Sequence, residues 1–266
     1  MRRFNEAHRR QVFWWSPPRR RLRPRRENVG DYLSPLTVQR MLDRFGWRIA
    51  DKRPDRGRLL AIGSVLHFAR DGDVVWGAGV NGKVPEHRHR FEQLDVRAVR
   101  GPLTRDFLLR RGVDCPAVYG DPALLMPALF PEFRVADPDT MAEYVVIPHL
   151  NDSPARWVAE VDAGHILWPT AHWKRFVRRI LASRLVISAS LHGLVIAEAY
   201  GIPARALRLA EGEPQFKYAD YYLGTDRPEF RFARSVGEAL RLGGEAPPRI
   251  DLRLLMNRFP VDLWLS

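Results

Sequence analysis

The stretch RLVISASLHGLVIAEAYGIPARAL, residues 184–207, decides the fold. Leu185-Val186-Ile187 is an apolar, β-branched run that suits a strand buried on both faces. Ser188-Ala189-Ser190 breaks that run, and Leu191 to Tyr200 reads as a short helix closed by Gly201 and Pro203. A strand, a tight polar turn and a helix start place His192 and Gly193 beside free backbone N–H groups at the strand's carboxyl end. Open α/β sheets bind ligands at that edge, and a helix N-terminus there favours anions. Histidine also exchanges a proton near neutral pH, so His192 is read as an anion contact and proton donor. Ser188, Ser190 and Gly193 of the same turn are the substrate-binding candidates around it. The competing reading has His192 capping the helix or packing beneath a loop.

The same alternation repeats outward in both directions. Gln11 to Trp15 reads as a first strand, followed by a proline-broken loop, 16–27, that carries Arg19-Arg20-Arg21, Arg23, Arg25 and Arg26. Asp31 is a good N-cap for a helix from about Tyr32 to Phe45, and Gly46 a good terminator. Arg58 to Gly63, Asp73 to Gly77 and Val96 to Arg100 read as strands, with a helix from Thr104 to Arg111 behind the last. After a proline-rich interval, PEFRVADPDTMA, the pattern restarts. Tyr144 to His149 and His165 to Trp168 read as strands, His172 to Ala182 as a helix, and the tail after Ser235 as helical with a polar break at 243–248. Strand, loop and helix in repetition predict parallel sheets with helices on both faces. The expectation is two Rossmann-like domains facing across a cleft, residues 1–135 and 143–266.

The 266-residue chain, with 45% hydrophobic and 11% aromatic residues, has the make-up of a globular protein. No apolar run approaches the roughly 20 residues that span a bilayer. The opening MRRFNEAHRR lacks a signal peptide's apolar segment, which predicts a cytoplasmic protein, placed at most at the inner face of a membrane. Cys115 is the only cysteine, so an intrachain disulfide and a cysteine-based zinc cage are both excluded. His87 to His89 reads as a solvated turn, and no metal site is assigned. The net charge of +12 calls for an anionic partner: nucleic acid, anionic lipid or a phosphorylated metabolite. The basic residues are spread through an enzyme-like frame with no nucleic-acid-binding motif, which argues against nucleic acid.

Further candidates follow from position. Asn28, Gly30 and Asp31 close the first strand-to-helix loop, where glycine lets a ligand approach the backbone. Arg100, at a strand end, reads as a clamp for carboxylate or phosphate. Gly120-Asp121-Pro122 reads mainly as a helix start. Phe216 to Tyr222 gathers aromatics with Lys217 and Asp220, a mixture that suits a sugar and equally an amphipathic helix.

Taken in order, NVGDYLSPL, AIGSVL, VVWGAGV, RAVRGPLTRDFLLRRG, YGDPALLMP and SASLHGLVIAEAYGIP resemble the polysaccharide pyruvyl transferase family, over roughly residues 28–223. The resemblance implies two Rossmann-like domains in a GT-B-like arrangement. It also implies transfer of pyruvate from phosphoenolpyruvate to a sugar hydroxyl pair, giving a ketal on a surface polysaccharide or a lipid-linked oligosaccharide. No metal or organic cofactor is implied, and His192 and Asp31 take the catalytic roles. Members commonly carry arginine two residues before the histidine, where this chain has Ser190. Arg184, Arg205 or the 19–26 loop would then supply the cation. A nucleotide-sugar glycosyltransferase and a non-catalytic member are the alternatives.

Overall fold

The computed structural model describes residues 4–17, 27–53, 55–152, 161–208 and 215–265. The arginine run at 19–26 lies outside them. Among the described residues, seven strands form two parallel sheets. The first joins β1 (Val12–Phe13), β2 (Leu59–Leu60), β3 (Val74–Trp76) and β4 (Asp95–Ala98) in sequence order; the second joins β5 (Val145–Ile147), β6 (Val186–Ser188) and β7 (Ala204–Ala206). Register is set by pairs such as Leu59 with Val74, and Val186 with both Val145 and Ala204.

The strands are shorter than their apolar runs predict, two to four residues each. The Ala117–Tyr119 and His165–Trp168 segments contribute only single bridges, Val99 to Tyr119 and Val146 to Ile166. The crossovers also differ from a uniform strand–helix repeat. A full helix, α2 (Val29–Asp43), follows β1, after the short α1 (Glu6–Arg9). Between β2 and β3, and between β3 and β4, the chain returns through single 3-10 turns, Leu66–Phe68 and Glu86–Arg88. In that second turn His87 is exposed, but His89 is buried and packs on Phe107 at 4.7 Å between ring centroids. The solvated reading holds for one histidine only.

Helix starts shift by a few residues. Asn28, not Asp31, is the N-cap of α2, so Asp31 falls in the first turn and is buried. α3 (Pro102–Arg110) begins at the N-cap Gly101, which puts Thr104 inside the helix. Asp121 does cap a helix start: it accepts the Ala123 N–H, with Pro122 first in a 3-10 turn that leads into α4 (Met126–Leu129). α5 (Trp173–Leu181), α6 (Leu191–Ala199), α7 (Phe216–Gly224), α8 (Val236–Leu242) and α9 (Leu252–Asn257) follow among the described residues. None of the described helices is long and apolar enough to cross a membrane.

The period-2 alternation of strand side chains divides the core. Leu59, Val74 and Trp76 of the first sheet, and Val145, Ile147 and Val186 of the second, belong to one shared apolar cluster with α2, α5 and α6. Their neighbours turn to the opposite faces, Leu60 and Val75 into one satellite cluster, Val146 and Ile187 into another. The C-terminal tail returns to the first sheet. There Trp76 Nε1 donates to the Leu255 carbonyl at 2.8 Å, and Trp264 Nε1 donates to the Arg48 carbonyl at 2.9 Å. The two sheets therefore hold each other through common packing, and their carboxyl ends meet.

Candidate active site

A cavity of about 250 Å³ opens where those carboxyl ends meet. Trp15 follows β1, Ser64 follows β2, Asn81 and Lys83 follow β3, His149 and Asn151 follow β5, and Ser190 follows β6; all line it. The starts of α2 and α6 complete the wall with Asn28, Asp31, Leu191 and His192, and Lys217 enters from α7. This is the edge at which parallel sheets present loops and helix N-termini to ligands.

Asp31 and His192 face each other across the joint between the two helices. The His192 ring lies so close to Gly30 that a Cβ built there would stand 2.2 Å from Nδ1. Only glycine lets the two helix starts approach so far. Burial pushes the Asp31 carboxyl up from 3.8 to about 6, although His192, the Asn28 amide and Lys217 all pull it down. The Asn28 amide donates to Asp31 Oδ2 at 2.6 Å, which fixes the carboxylate plane. Behind His192, the Nε2 atom stands 3.4 Å from Asp121 Oδ2. Both of these atoms are buried, and neither makes a hydrogen bond to any described residue. A carboxyl with a raised pKa beside a histidine, in a cavity that also holds two lysines, can exchange protons next to a bound anion.

The β6–α6 turn is built as much as exposed. Ser188 Oγ accepts from the Ser190 N–H at 3.0 Å and donates to the Ser190 carbonyl at 2.7 Å, so it shapes the turn from a buried position. Gly193 is also buried, and a Cβ there would stand 2.3 Å from Ser188 Oγ. Of this turn's polar candidates, Ser190 and His192 reach the cavity.

Two residues read as ligand contacts are placed elsewhere. Arg100 is 1% exposed, and its guanidinium donates to Asp220 Oδ2 at 3.0 Å, Ser64 Oγ at 2.7 Å and the Val80 carbonyl at 2.5 Å. Asp220 is fully buried, and it also accepts from the Thr104 N–H at 2.9 Å and the Thr104 hydroxyl at 2.6 Å. The anion clamp and the sugar acceptor thus spend their hydrogen bonds on each other and on the walls. Their pairing fastens α7 to the end of β4 and thereby brings Lys217 to the cavity.

Sequence reasoning passed over Lys83, Asn81, His149, Asn151 and His67. Four of them follow strand ends, the same signal that singled out His192. His67 lies in the β2–β3 turn; burial, with His89 close by, pushes it down to about 4 and leaves it a neutral imidazole in the wall.

The family model described as polysaccharide pyruvyl transferase matches residues 28–209, more than half the chain. Over 171 residues the chain is 30% identical to the succinoglycan biosynthesis protein ExoV of Rhizobium meliloti (strain 1021), covering 61% of this chain and 52% of the relative. Over 183 residues it is 24% identical to the uncharacterized protein L143 of Acanthamoeba polyphaga mimivirus, covering 64% and 61%. The chain thus spans between half and three fifths of the length of these curated relatives. Among solved structures, a functionally uncharacterized protein of Klebsiella pneumoniae aligns with a TM-score of 0.43 at 12% identity, over 86% of this chain and 94% of that one. The family match begins at the cap of α2, takes in β2 to β7 and ends at residue 209, and on that extent the chain belongs to the polysaccharide pyruvyl transferase family.

Proposed function

We propose that this chain transfers pyruvate from phosphoenolpyruvate to a pair of hydroxyls on a glycan, as part of polysaccharide biosynthesis. The observation that carries the reading is the meeting of Asp31, His192 and Lys217 at the junction of two helix starts. The ExoV relative's name attaches it to succinoglycan biosynthesis, and from it comes the choice of a polysaccharide or its lipid-linked precursor as acceptor. Such an acceptor places the protein in the cytoplasm, at the inner face of the membrane. Under this reading the two sheets with their loops would be the two Rossmann-like halves of a GT-B-like arrangement, residues 1–135 and 143–266.

Phosphoenolpyruvate brings a phosphate and a carboxylate. Lys83, Lys217 and the N-termini of α2 and α6 supply positive potential for both. The two lysines take the place of the arginine that family members commonly carry at the position of Ser190. His192 protonates the methylene carbon and leaves a cationic C2. One sugar hydroxyl oxygen bonds to C2, and its proton passes to Asp31. A carboxyl with a pKa near 6 is largely ionised at neutral pH and still basic enough for that transfer. The second hydroxyl oxygen then bonds to C2 as the C2–O bond to phosphate breaks, and its proton returns to the medium. The balance is one phosphate released for one ketal formed. Trp15 and Phe68 in the cavity wall offer ring faces for the C–H side of a sugar.

The test is phosphate release coupled to a mass gain of the acceptor, across a panel of native glycans supplied with phosphoenolpyruvate. Coupled release on one glycan supports the reading. Binding without turnover on any native glycan points to a non-catalytic member, and no binding at all overturns the proposal. In parallel, Ser190→Arg should leave turnover intact where the lysines already bind the donor. A gain of tenfold or more, about 1.4 kcal/mol of transition-state binding, would show that they do not.

A further inference from the structure

The Asp121 carboxylate has two oxygens with different surroundings. Oδ1 accepts the Ala123 N–H at 2.9 Å and completes a helix cap. Oδ2 takes no part in that cap. It is buried and lies 3.4 Å from His192 Nε2, and neither atom makes a hydrogen bond to any described residue. An asparagine or serine would cap this turn as well as aspartate does. The second oxygen is therefore surplus to the helix start, and a buried carboxylate oxygen with nothing to accept would be costly.

From these contacts we infer that Asp121 is a positioning residue for His192: it accepts the Nε2 proton, so that the imidazolium carries its transferable proton on Nδ1 at the cavity and the ring is left as the Nε2–H tautomer once that proton is given up. The inference rests on the proposed role of His192. The geometry on the other side of the ring agrees with it. Gly30 has no side chain, which leaves room for the Nδ1 edge of the ring, and His192 lines the cavity together with Asp31. A carboxylate that holds an imidazole in one tautomer is a recurring device in catalysis, and its loss acts on turnover more than on binding.

Asp121→Asn tests this, because the amide keeps an oxygen for Ala123 and turns an N–H toward Nε2. That exchange forces Nε2 to accept and moves the proton to Nδ1. Two readouts are needed. The first is the nitrogen NMR spectrum of His192 in labelled protein, which distinguishes the tautomers without substrate. The expected result is the Nε2–H form in the wild type and the Nδ1–H form in the variant. The second is kinetics on the full chain, where kcat should fall by about a hundredfold or more while KM and the melting temperature stay near those of the wild type. If Asp121→Asn fails to fold, Asp121→Ser keeps the cap and removes the acceptor, and a mixture of tautomers is expected. An unchanged tautomer in the folded variant overturns the inference whatever the activity. A shifted tautomer with unchanged kcat overturns it also. If the wild type transfers no pyruvate, the proposed function fails while the spectrum still decides the contact.

Discussion

Replacing Asp31 with asparagine should change the pH dependence of stability in a way that can be worked out. The carboxyl holds its proton to about pH 6 in the folded chain, against 3.8 for an unburied aspartate, a gap of about 2 pH units. At about 1.36 kcal/mol per unit the linked free energy is about 3 kcal/mol. The sign follows from which state keeps the proton. Between pH 3.8 and 6 the unfolded chain releases it first, so this group favours folding fully below about 3.8, and the benefit is lost as pH rises through 6. The amide of the variant does not titrate. Urea unfolding of both proteins in half-unit steps from acid to mildly alkaline pH isolates the effect, since other groups cancel in the difference. The variant's stability relative to wild type should rise by about 3 kcal/mol across that range, most of it between 3.8 and about 6. Turnover should fall over the same series, because the variant cannot accept the hydroxyl proton. A stability difference that stays flat with pH would refute the idea that burial raises this carboxyl.

Three further outcomes are expected. His192→Ala should lower kcat by about a hundredfold to ten-thousandfold with little change in melting temperature, and near-normal turnover would leave the histidine a packing residue. Gly30→Ala should cost about a hundredfold in kcat, because the added Cβ, only 2.2 Å from Nδ1, would displace the His192 ring; wild-type turnover would show that the ring can move without loss. Asp220→Asn should destabilise the chain by about 3–5 kcal/mol in urea unfolding, since it leaves the buried Arg100 guanidinium without its counter-charge, and a neutral effect would mean the pair contributes no more than its shape.

The strands and helices were largely legible because each apolar run is local and its breakers are local. Residues 184–207 fold as their pattern predicts, and Gly201 takes the positive φ of 73° that its place after the helix requires. The crossovers were less legible: LHF and EHR are too short to carry a helical period, so nothing in them announces a 3-10 turn. Arg100 and Asp220 are 120 residues apart in the chain, and their pairing depends on how α7 docks, which no local window records. Arg100 does stand at a strand end, as its position predicts, yet both it and Asp220 are turned inward. Asp121 shows the complementary case. Its cap was visible in Gly-Asp-Pro, whereas the use of its second oxygen depends on α6 arriving beside it. Lys83 and His149 could have been found by applying the strand-end rule to every strand instead of only the most distinctive one.

The central claim is that the methylene carbon of phosphoenolpyruvate is protonated in this cavity before two sugar oxygens capture it. Running the reaction in deuterated water and examining the glycan product by NMR tests that claim most directly. The account predicts a pyruvate ketal whose methyl group carries solvent deuterium, formed in step with phosphate and lost in His192→Ala. Phosphate released with the glycan unchanged, or a ketal whose methyl group contains no deuterium, would contradict it.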